Sequence, residues 1–435
     1  MSNSQTEKTK KILMVHFRVG KTDGVSIEMA SWRKILESLG YDVRYCAGNE
    51  SIGAEYVIND LEQQLNDVVF SLDQEAFGGF KNYTEETFIE LFNRISNNIS
   101  VEFQKVVEDF KPTDIIISNI FSVGEGLVAA RALLRVLDNA KVNTVLINHD
   151  FYWEEIRYKN PSCSFIQEYI KEHLPPVRDY MKYCTINSIA RKSLLERMNI
   201  DSIVLYDTFD FEHSSWEKNP RTTELLLDNG IDENTFVFLQ ATRVVRRKNI
   251  ELTLDFVKEF QDKYSRPKKV VVLLAGYVER RDKYYLEGLI KYSKIIGVEV
   301  VYIGDLLHIK YELFDIYPYA DVITYPSEYE GFGNQLLEAF NMEKPIVLFE
   351  YPVYKTDIKD LGFKVISLGD EISGVRNDSG LKYISFEVNK KTVSELISLI
   401  EDFDRLQKIN KENKEIARLN FGFQPTKKKL LSLLS

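Results

Sequence analysis

The sequence predicts an α/β protein with two domains, each built on a parallel β-sheet. A chain of 435 residues is too long for one ordinary hydrophobic core, and its 44% of hydrophobic residues can fill two. Short apolar runs of strand length also alternate with amphipathic helical segments from one end of the chain to the other. That alternation is typical of βαβ units, in which a helix connects two neighbouring parallel strands.

The first half of the chain begins with such a unit. An apolar strand is predicted at 11–17, a helix at 25–39 that ends at Gly40, and a second strand at 42–47. A long segment at 50–112 then has a helical pattern, broken by the sequence F-G-G-F. The later strands of this half are predicted at 115–119, 143–150, 184–187 and 203–206. Its later helices are predicted at 124–137 and directly after the strand at 184–187.

The second half repeats the alternation after a polar segment at 217–221, which places the boundary between the domains near residue 215. Its strands are predicted at 235–240, 269–276, 298–304, 322–325, 346–349 and 365–368. Its helices are predicted at 251–260, 310–320 and 390–417, the last of them long and highly charged.

The most informative stretch of the sequence is Y-P-S-E-Y-E-G-F-G-N-Q-L-L-E-A-F, which begins at Tyr325. It places two carboxylates, Glu330 and Glu338, around a glycine turn that opens a helix. Glycines at 331 and 333 allow backbone N–H groups to approach a ligand, and the helix N-terminus adds partial positive charge. Helical spacing turns Glu338 away from the apolar face of its helix. Such a turn suits a ligand that carries hydroxyl and phosphate groups.

These residues resemble the E-x7-E motif of the retaining GT-B glycosyltransferases of family 4, together with its flanking P-S-x-x-E-G-F-G and E-A-F residues. The resemblance implies two Rossmann-like domains that face each other across a cleft, and a C-terminal helix that crosses back to the first domain. It further implies an acceptor-side domain at 1–215, a nucleotide-sugar domain at 216–410 and the returning helix within 411–435.

The same resemblance assigns donor contacts. It implies that Glu330 lies beside the transferred sugar, that Glu338 binds the ribose hydroxyls of the nucleotide, and that the turn Gly331, Phe332 and Gly333 meets sugar and phosphate. Two glutamates at this spacing on a solvated helix face are the ordinary alternative. The flanking residues favour the functional interpretation.

A cluster of cations follows the first strand of the second domain. Arg243 and Lys248 match the R-x4-K pair of the family, which implies that they clamp the diphosphate of the donor. An Arg fork and a Lys point charge together suit a pyrophosphate. Thr242 and Asn249 stand where the family usually has glycine, and basic loop residues are often only solvated.

Two positions in the first domain are further candidates. His149 follows an apolar strand, at the edge where α/β sheets bind ligands, and the family has a similar His beside the reacting sugar carbon. Gly24 belongs to a glycine turn that opens a helix, and the resemblance to the family implies that this loop contacts the donor near its phosphates. That loop is no P-loop, because Val15 occupies the position of the required first glycine. A structural histidine and an ordinary turn are the alternatives.

Tyr152, Trp153 and Arg157 combine aromatic faces with hydrogen-bonding groups, as sugar sites often do, and are candidate acceptor contacts. Core packing explains the two aromatic residues nearly as well. The resemblance implies a same-face attack in which the departing phosphate accepts the proton of the acceptor, with His149, Arg243, Lys248 and Glu330 as the catalytic residues. No D-x-D follows a strand, so we expect neither a metal ion nor a cofactor besides the nucleotide sugar.

Donor and acceptor are suggested by a second pattern, H-F-R-V-G-K-T-D-G-V-S-I-E-M, which begins at His16. It is similar to the mannosylglucosylglycerate synthases within the family, which implies GDP-mannose as the donor and glucosylglycerate as the acceptor. UDP-glucose is the next candidate donor, and a glycan or lipid acceptor is an alternative. A function of another class is a catalytically inactive GT-B subunit that binds a sugar nucleotide or a partner transferase. A sugar-nucleotide epimerase would need further acid and base carboxylates.

Charge and cysteine content exclude other classes. A net charge of −10 disfavours a nucleic-acid binder, which needs a basic surface. Cys46, Cys163 and Cys184 form no C-x-x-C pair and suit a reducing compartment. The polar N-terminal tail has no apolar signal core, and no apolar run is long enough to cross a membrane. We therefore predict a cytoplasmic protein; the sequence does not specify its oligomeric state.

Overall fold

The computed structural model describes residues 9–20, 23–48, 52–62, 64, 66–213, 216–266 and 269–435, with backbone only at 308–310. Lys21 and Thr22 of the first loop, the N-terminal tail and the side chain of His308 lie outside the described residues. The chain divides into two compact units. The first runs to Thr208 and includes Phe423–Ser435, and the second is Phe209–Gly422. The sequence places its domain boundaries at 215 and 410 instead.

The first unit is built on a seven-stranded sheet in which every neighbouring pair is parallel. Its strands are β1 Lys11–Val15, β2 Asp42–Ala47, β3 Tyr56–Val57, β4 Asp114–Ser118, β5 Asn143–Asn148, β6 Met181–Thr185 and β7 Ile203–Val204. They lie in the order β3-β2-β1-β4-β5-β6-β7. This order is the doubly wound arrangement of a Rossmann-like domain.

Helices cover both faces of the first sheet. They are α1 Gly24–Glu37, α2 Asp67–Glu75, α3 Glu85–Phe110, α4 Leu127–Ala140, α5 Ser164–His173 and α6 Ser188–Met198. The buried face of α3 carries Phe88, Phe92 and Phe103, which pack with α4 in the larger core. Trp32 of α1 lies in a second core on the other side of the sheet. Burial on both faces explains why these strands are continuous apolar runs.

The second unit repeats the design with a six-stranded parallel sheet. Its helices are α7 Pro220–Asp228, α8 Ile250–Lys263, α9 Lys283–Ile296, α10 Gly304–Lys310, α11 Asn334–Asn341, α12 Phe386–Glu401 and α13 Phe403–Phe421. Its strands are β8 Thr235–Gln240, β9 Lys269–Leu274, β10 Glu299–Tyr302, β11 Val322–Tyr325, β12 Ile346–Leu348 and β13 Ile366–Ser367. The sheet order is β10-β9-β8-β11-β12-β13, and β14 Gly374–Val375 pairs separately and antiparallel with β15 Lys382–Tyr383. The predicted α/β class with two parallel sheets is confirmed.

The last helix, α14 Phe423–Leu433, belongs to the first unit. Its Leu430 and Leu433 share a core with Trp32 and Met29 of α1. The backbone of Ser435 donates a hydrogen bond of 2.7 Å to the buried carboxylate of Asp114. The C-terminal residues therefore pack against the sheet of the first unit.

Three predicted elements differ from the structure. The long helix at 390–417 is two helices, α12 and α13, because the side chain of Asp402 accepts a hydrogen bond from the backbone of Arg405 at 3.1 Å and starts a new helix. The helix at 310–320 is a 3₁₀ helix at Leu313–Tyr319, preceded by α10. The helical segment at 50–112 also contributes the edge strand β3.

Both sheets reverse their strand order at one point, between β1 and β4 in the first unit and between β8 and β11 in the second. Ligands of such sheets bind at the carboxyl ends of the strands beside this switch point. We call this side of each sheet its ligand edge. In the described part of the chain, every helix is too short or too polar to span a lipid bilayer.

The core of the first unit gives a direct test of the packing. Phe103 of α3 is fully buried, and Val101 two residues earlier is 57% exposed. We expect Phe103→Ala to lower the free energy of unfolding of the first unit by about 3–5 kcal/mol, because it leaves a cavity in a packed interior. Val101→Ala should change it by less than about 0.5 kcal/mol. Denaturant titration followed by circular dichroism measures both, and equal effects would contradict this packing.

Candidate active site

A buried ion cluster lies at the ligand edge of the second unit. The ammonium group of Lys248, which ends a 3₁₀ helix after β8, pairs with the carboxylate of Glu330, which follows β11. Arg247 donates to the second oxygen of that carboxylate at 2.9 Å. Lys248 and Glu330 are 6% and 7% exposed, so the pair is almost fully removed from water. The pair thus joins the two loops that flank the switch point.

The cations decide the charge of Glu330. Burial alone would raise the pKa of its carboxyl group, but the charges of Lys248 and Arg247 outweigh burial and lower that pKa to about 2. Glu330 is therefore ionised at neutral pH. Burial lowers the pKa of the Lys248 ammonium, and the charges of Arg247 and Arg243 lower it further, against the opposing charge of Glu330.

Backbone geometry explains the two departures from the family pattern beside these cations. Asn249 has a φ of 44°, in the left-handed region where glycine is most common and asparagine is tolerated. Thr242 is buried, and its hydroxyl accepts a hydrogen bond of 2.7 Å from the Gln240 side chain. Its carbonyl oxygen lies so close to Gly276 that a Cβ there would meet it at 1.8 Å. The close approach of the two loops thus requires a glycine at position 276, on the neighbouring loop, and not at position 242.

Arg243 is less buried than Lys248. One of its guanidinium nitrogens pairs with Glu279 at 2.9 Å, and 41% of its side chain is exposed. Because the charge of Arg243 also lowers the pKa of Lys248, the two cations lie within electrostatic range of each other. The predicted R-x4-K pair is therefore brought together, with one partly exposed member and one buried member.

Glu338 lies on α11 and is half-buried, not solvated as helical spacing alone suggests. The hydroxyl of the buried Tyr317 donates a hydrogen bond to its carboxylate. Burial raises the pKa of the Glu338 carboxyl to about 7, and the bond from Tyr317 and the charge of Lys248 oppose that rise. Glu338 therefore lies close enough to Lys248 to feel its charge. Its own carboxyl group changes from neutral to ionised near neutral pH.

The glycine turn between the two glutamates is fixed from behind by aromatic residues. The hydroxyl of Tyr351 donates to the carbonyl of Phe332 at 2.6 Å, and a Cβ at Gly333, whose φ is 129°, would meet that hydroxyl at 2.4 Å. The ring of Phe332 is buried against Phe421, with centroids 5.0 Å apart. The ring of Phe332 is therefore not available to a ligand, whereas Gly331 is half-exposed.

In the first unit, His149 follows β5 at the ligand edge. Its backbone N–H donates to the side chain of Asn119, which follows β4, at 2.7 Å, and its ring stacks on Trp32 at 5.9 Å. Burial lowers the pKa of His149 to about 3, and the charge of His16 lowers it too. The imidazole is therefore neutral. Its Nε2 atom is buried and makes no hydrogen bond with any described residue.

Gly24 is the first residue of α1, directly after its capping residue Asp23. The carboxylate of Asp23 accepts hydrogen bonds from the backbone and the hydroxyl of Ser26, at 3.2 and 2.8 Å. The Nδ1 atom of His16, which follows β1, donates a hydrogen bond of 2.9 Å to the carbonyl of Ser118, and burial lowers the pKa of His16 to about 4. The predicted glycine turn thus opens a capped helix beside two neutral histidines.

The three candidate acceptor residues are held by structural contacts. Trp153 stacks on Phe151 at 4.3 Å and donates to Ser193 at 3.1 Å, and Tyr152 packs on the core. Arg157 is paired with Glu125 and with Glu155, each at 2.6 Å. Their role toward an acceptor stays a prediction.

Sequence reasoning missed Arg247 and Tyr317, which bind the two glutamates. In the sequence, Arg247 is marked as a site residue only by its position next to Lys248. The preceding Arg246 is an equally good candidate from the sequence alone. Two buried carboxyl groups in the first unit, Glu28 and Asp207, and the exposed carboxyl group of Asp150 are also absent from the prediction. They show no shared motif, but burial raises the pKa of Asp207 to about 7, and the charge of Asp150 adds to that rise.

Within the described ranges, no group of three or more His, Cys, Asp or Glu side chains is arranged to hold a metal ion.

Comparison with known proteins gives three findings. The family described as Glycosyl transferases group 1 matches residues 222–366. The mannosylglucosylglycerate synthase of Petrotoga mobilis is 33% identical over 425 residues, which cover 92% of this chain and 96% of that protein. The enzyme of the same name from Thermotoga maritima is 33% identical over 431 residues, which cover 95% and 97%.

A solved structure gives the likeness of fold. A glycosyltransferase from Rickettsia africae superposes with a TM-score of 0.60 at 15% identity, over 98% of this chain and 97% of that one. The predicted GT-B class, with its two Rossmann-like domains, is thereby confirmed.

The pKa of Glu338 can be measured without any substrate. We expect its carboxyl group to titrate near pH 7. Tyr317→Phe should move the midpoint to higher pH, because the lost hydrogen bond stabilises the ionised carboxylate. Carbon NMR of glutamate-labelled protein follows the titration. Tyr319→Phe is the control, since that hydroxyl lies in the same 3₁₀ helix and bonds the carbonyl of Asn219 at 2.8 Å. A midpoint near the ordinary value of about 4.3 would contradict the burial of Glu338.

Proposed function

The chain belongs to the group 1 glycosyl transferases, and we propose that it moves a hexose from a nucleotide sugar to a hydroxyl group of a small acceptor. We further propose that the reaction retains the configuration of the anomeric carbon and needs no metal ion. The observation that carries the proposal is the buried pair of Lys248 and Glu330, with Arg243 and Glu338 in its electrostatic field, at the ligand edge of the second unit.

The cations answer the main electrostatic demand of the reaction. Cleavage of the bond between sugar and diphosphate leaves negative charge on the diphosphate, and preorganised positive groups stabilise that charge in the transition state. Arg243 is partly exposed and offers a planar fork to phosphate oxygens, whereas Lys248 offers a fixed point charge. These side chains can do the work for which other transferases use a metal ion.

The two glutamates have different tasks because their surroundings differ. Glu330, with a pKa of about 2, stays ionised beside the reacting sugar and can accept hydrogen bonds from its hydroxyls. Glu338, in the middle of α11, accepts hydrogen bonds from the ribose hydroxyls of the nucleotide. Because its pKa lies near 7, this contact is stronger above neutral pH than below it.

Retention follows from attack on the same face of the sugar from which the diphosphate leaves, with a phosphate oxygen accepting the proton of the acceptor. No separate base is then needed. His149 is neutral, since burial lowers its pKa to about 3, so it orients the sugar by hydrogen bonding and does not act as a cation. Its unbonded, buried Nε2 atom is consistent with this role.

The donor and acceptor come from the two relatives that match nearly the whole chain. Both are mannosylglucosylglycerate synthases, and their similarity extends across both units of this protein. We therefore propose GDP-mannose as the donor and glucosylglycerate as the acceptor. UDP-glucose is the second candidate donor.

Arg243 gives the sharpest test of the chemistry. Arg243→Ala should lower kcat by roughly 10²-fold, the typical loss of about 3 kcal/mol when one charge-stabilising donor is removed. Arg281→Ala is the matched control, because Arg281 also pairs with Glu279, at 2.9 Å, but is 78% exposed. It should keep kcat within about twofold. Steady-state kinetics with saturating donor measure both, and a loss in Arg243→Ala no larger than the control would remove Arg243 from the clamp.

A donor screen tests the proposed substrates. Purified protein is incubated with GDP-mannose, UDP-glucose, UDP-GlcNAc or UDP-galactose, each with and without glucosylglycerate. We expect release of GDP only from GDP-mannose, together with a mannosylated product whose new linkage is α by NMR, as retention requires. A product from UDP-glucose instead would replace the donor. Nucleotide-sugar binding without turnover would favour the inactive subunit.

A further inference from the structure

Arg18 follows β1 by three residues, at the ligand edge of the first unit and beside its switch point. It belongs to the pattern H-F-R-V-G, to which the proposed reaction assigns no task. Its side chain is 27% exposed, which leaves the guanidinium within reach of a ligand. Its charge is among those that lower the pKa of the nearby His16, after burial. Arg18 therefore lies in the same part of the unit as the two neutral histidines.

The contacts of Arg18 leave much of its guanidinium group available. Its Nε atom lies 3.4 Å from Asp23, which is longer than the usual 2.7–2.9 Å of a charge-assisted hydrogen bond. That carboxylate is already bound by Ser26 at 2.8 Å. The Nη1 atom donates to Gln64 at 2.7 Å. Among the residues that the structure describes, none accepts a hydrogen bond from Nη2.

The surroundings of Arg18 are otherwise unsuited to an anion. His16 and His149 are neutral, since burial lowers their pKa values to about 4 and 3. The carboxylates at this edge are Asp23, 3.4 Å from the Nε atom of Arg18, and Asp150, which accepts a hydrogen bond of 3.5 Å from the side chain of Asn119. An acidic ligand at this edge would meet carboxyl groups unless a cation held its charged end. An Arg fork matches a carboxylate with two parallel hydrogen bonds.

We propose that Arg18 binds the carboxylate of an acidic acceptor and makes the enzyme select acceptors that carry one. This inference rests on the proposed function, because it takes the first unit as the acceptor side. It goes beyond that function by assigning the selection between charged and neutral acceptors to one side chain. The residue is a specificity determinant and takes no part in bond cleavage.

A purely structural role predicts a different result. If Arg18 only fixed its loop through Asp23 and Gln64, its loss would weaken the use of every acceptor alike. Recognition of a carboxylate predicts a loss for acidic acceptors alone. The neutral analogue glucosylglycerol, in which a hydroxymethyl group replaces the carboxylate, separates the two roles.

The experiment compares the full-length wild type with Arg18→Ala, using glucosylglycerate, glucosylglycerol, glycerate and glycerol as acceptors. We expect kcat/KM for glucosylglycerate to fall about 10- to 100-fold in Arg18→Ala, mainly through KM, as the loss of a hydrogen-bonded charge implies. For glucosylglycerol it should change less than about threefold. Arg18→Lys should recover part of the loss, since it keeps the charge but not the fork.

Donor hydrolysis without acceptor should be equal in all variants. Arg191→Ala is the matched control, because Arg191 makes an exposed ion pair with Asp201 at 2.8 Å on the same unit. Equal losses with both glucosyl acceptors, or no loss, would overturn the role of Arg18 and leave the proposed function intact. Transfer to glycerate but not to glucosylglycerate, with loss in Arg18→Ala, would retain Arg18 and replace the acceptor. Transfer to neutral acceptors only would overturn both.

Discussion

The ion pair between Lys248 and Glu330 is the contact on which the candidate site depends. Each charge is buried, and a buried charge without a partner is strongly unfavourable. If either loop moved away, the charge on the other loop would be left buried and unpaired. The pair crosses the switch point between β8 and β11 and fixes the distance between the loops that follow them. A preorganised charge of this kind stabilises a transition state without rearrangement during the reaction.

Much of the fold is legible in the sequence because parallel strands buried on both faces are continuous apolar runs. The strands at 42–47 and 235–240 are predicted to the residue for that reason. Site residues can be predicted from the sequence where they closely follow such strands. Lys248 and Glu330 each come shortly after a buried strand, and the structure places them in contact.

What the sequence does not reveal depends on contacts between distant segments or on single hydrogen bonds. The sequence does not distinguish Arg246 from Arg247 as the partner of a carboxylate. In the structure, both lie in the same 3₁₀ helix, and Arg247 is the one that binds Glu330. Tyr317 stands far from Glu338 in the chain, so nothing local marks it as a partner. The break between α12 and α13 depends on a single hydrogen bond from the backbone of Arg405 to the carboxylate of Asp402. The charged helical pattern of the sequence continues through this position and does not reveal the break.

Gly276 has a consequence for how variants of this protein would be interpreted. Its missing side chain lets its loop touch the backbone just before Arg243. Any larger residue there would push that backbone aside and carry the guanidinium with it. Such a change would imitate an active-site lesion while every charged group was still present, so lost turnover alone does not identify a residue that touches substrate.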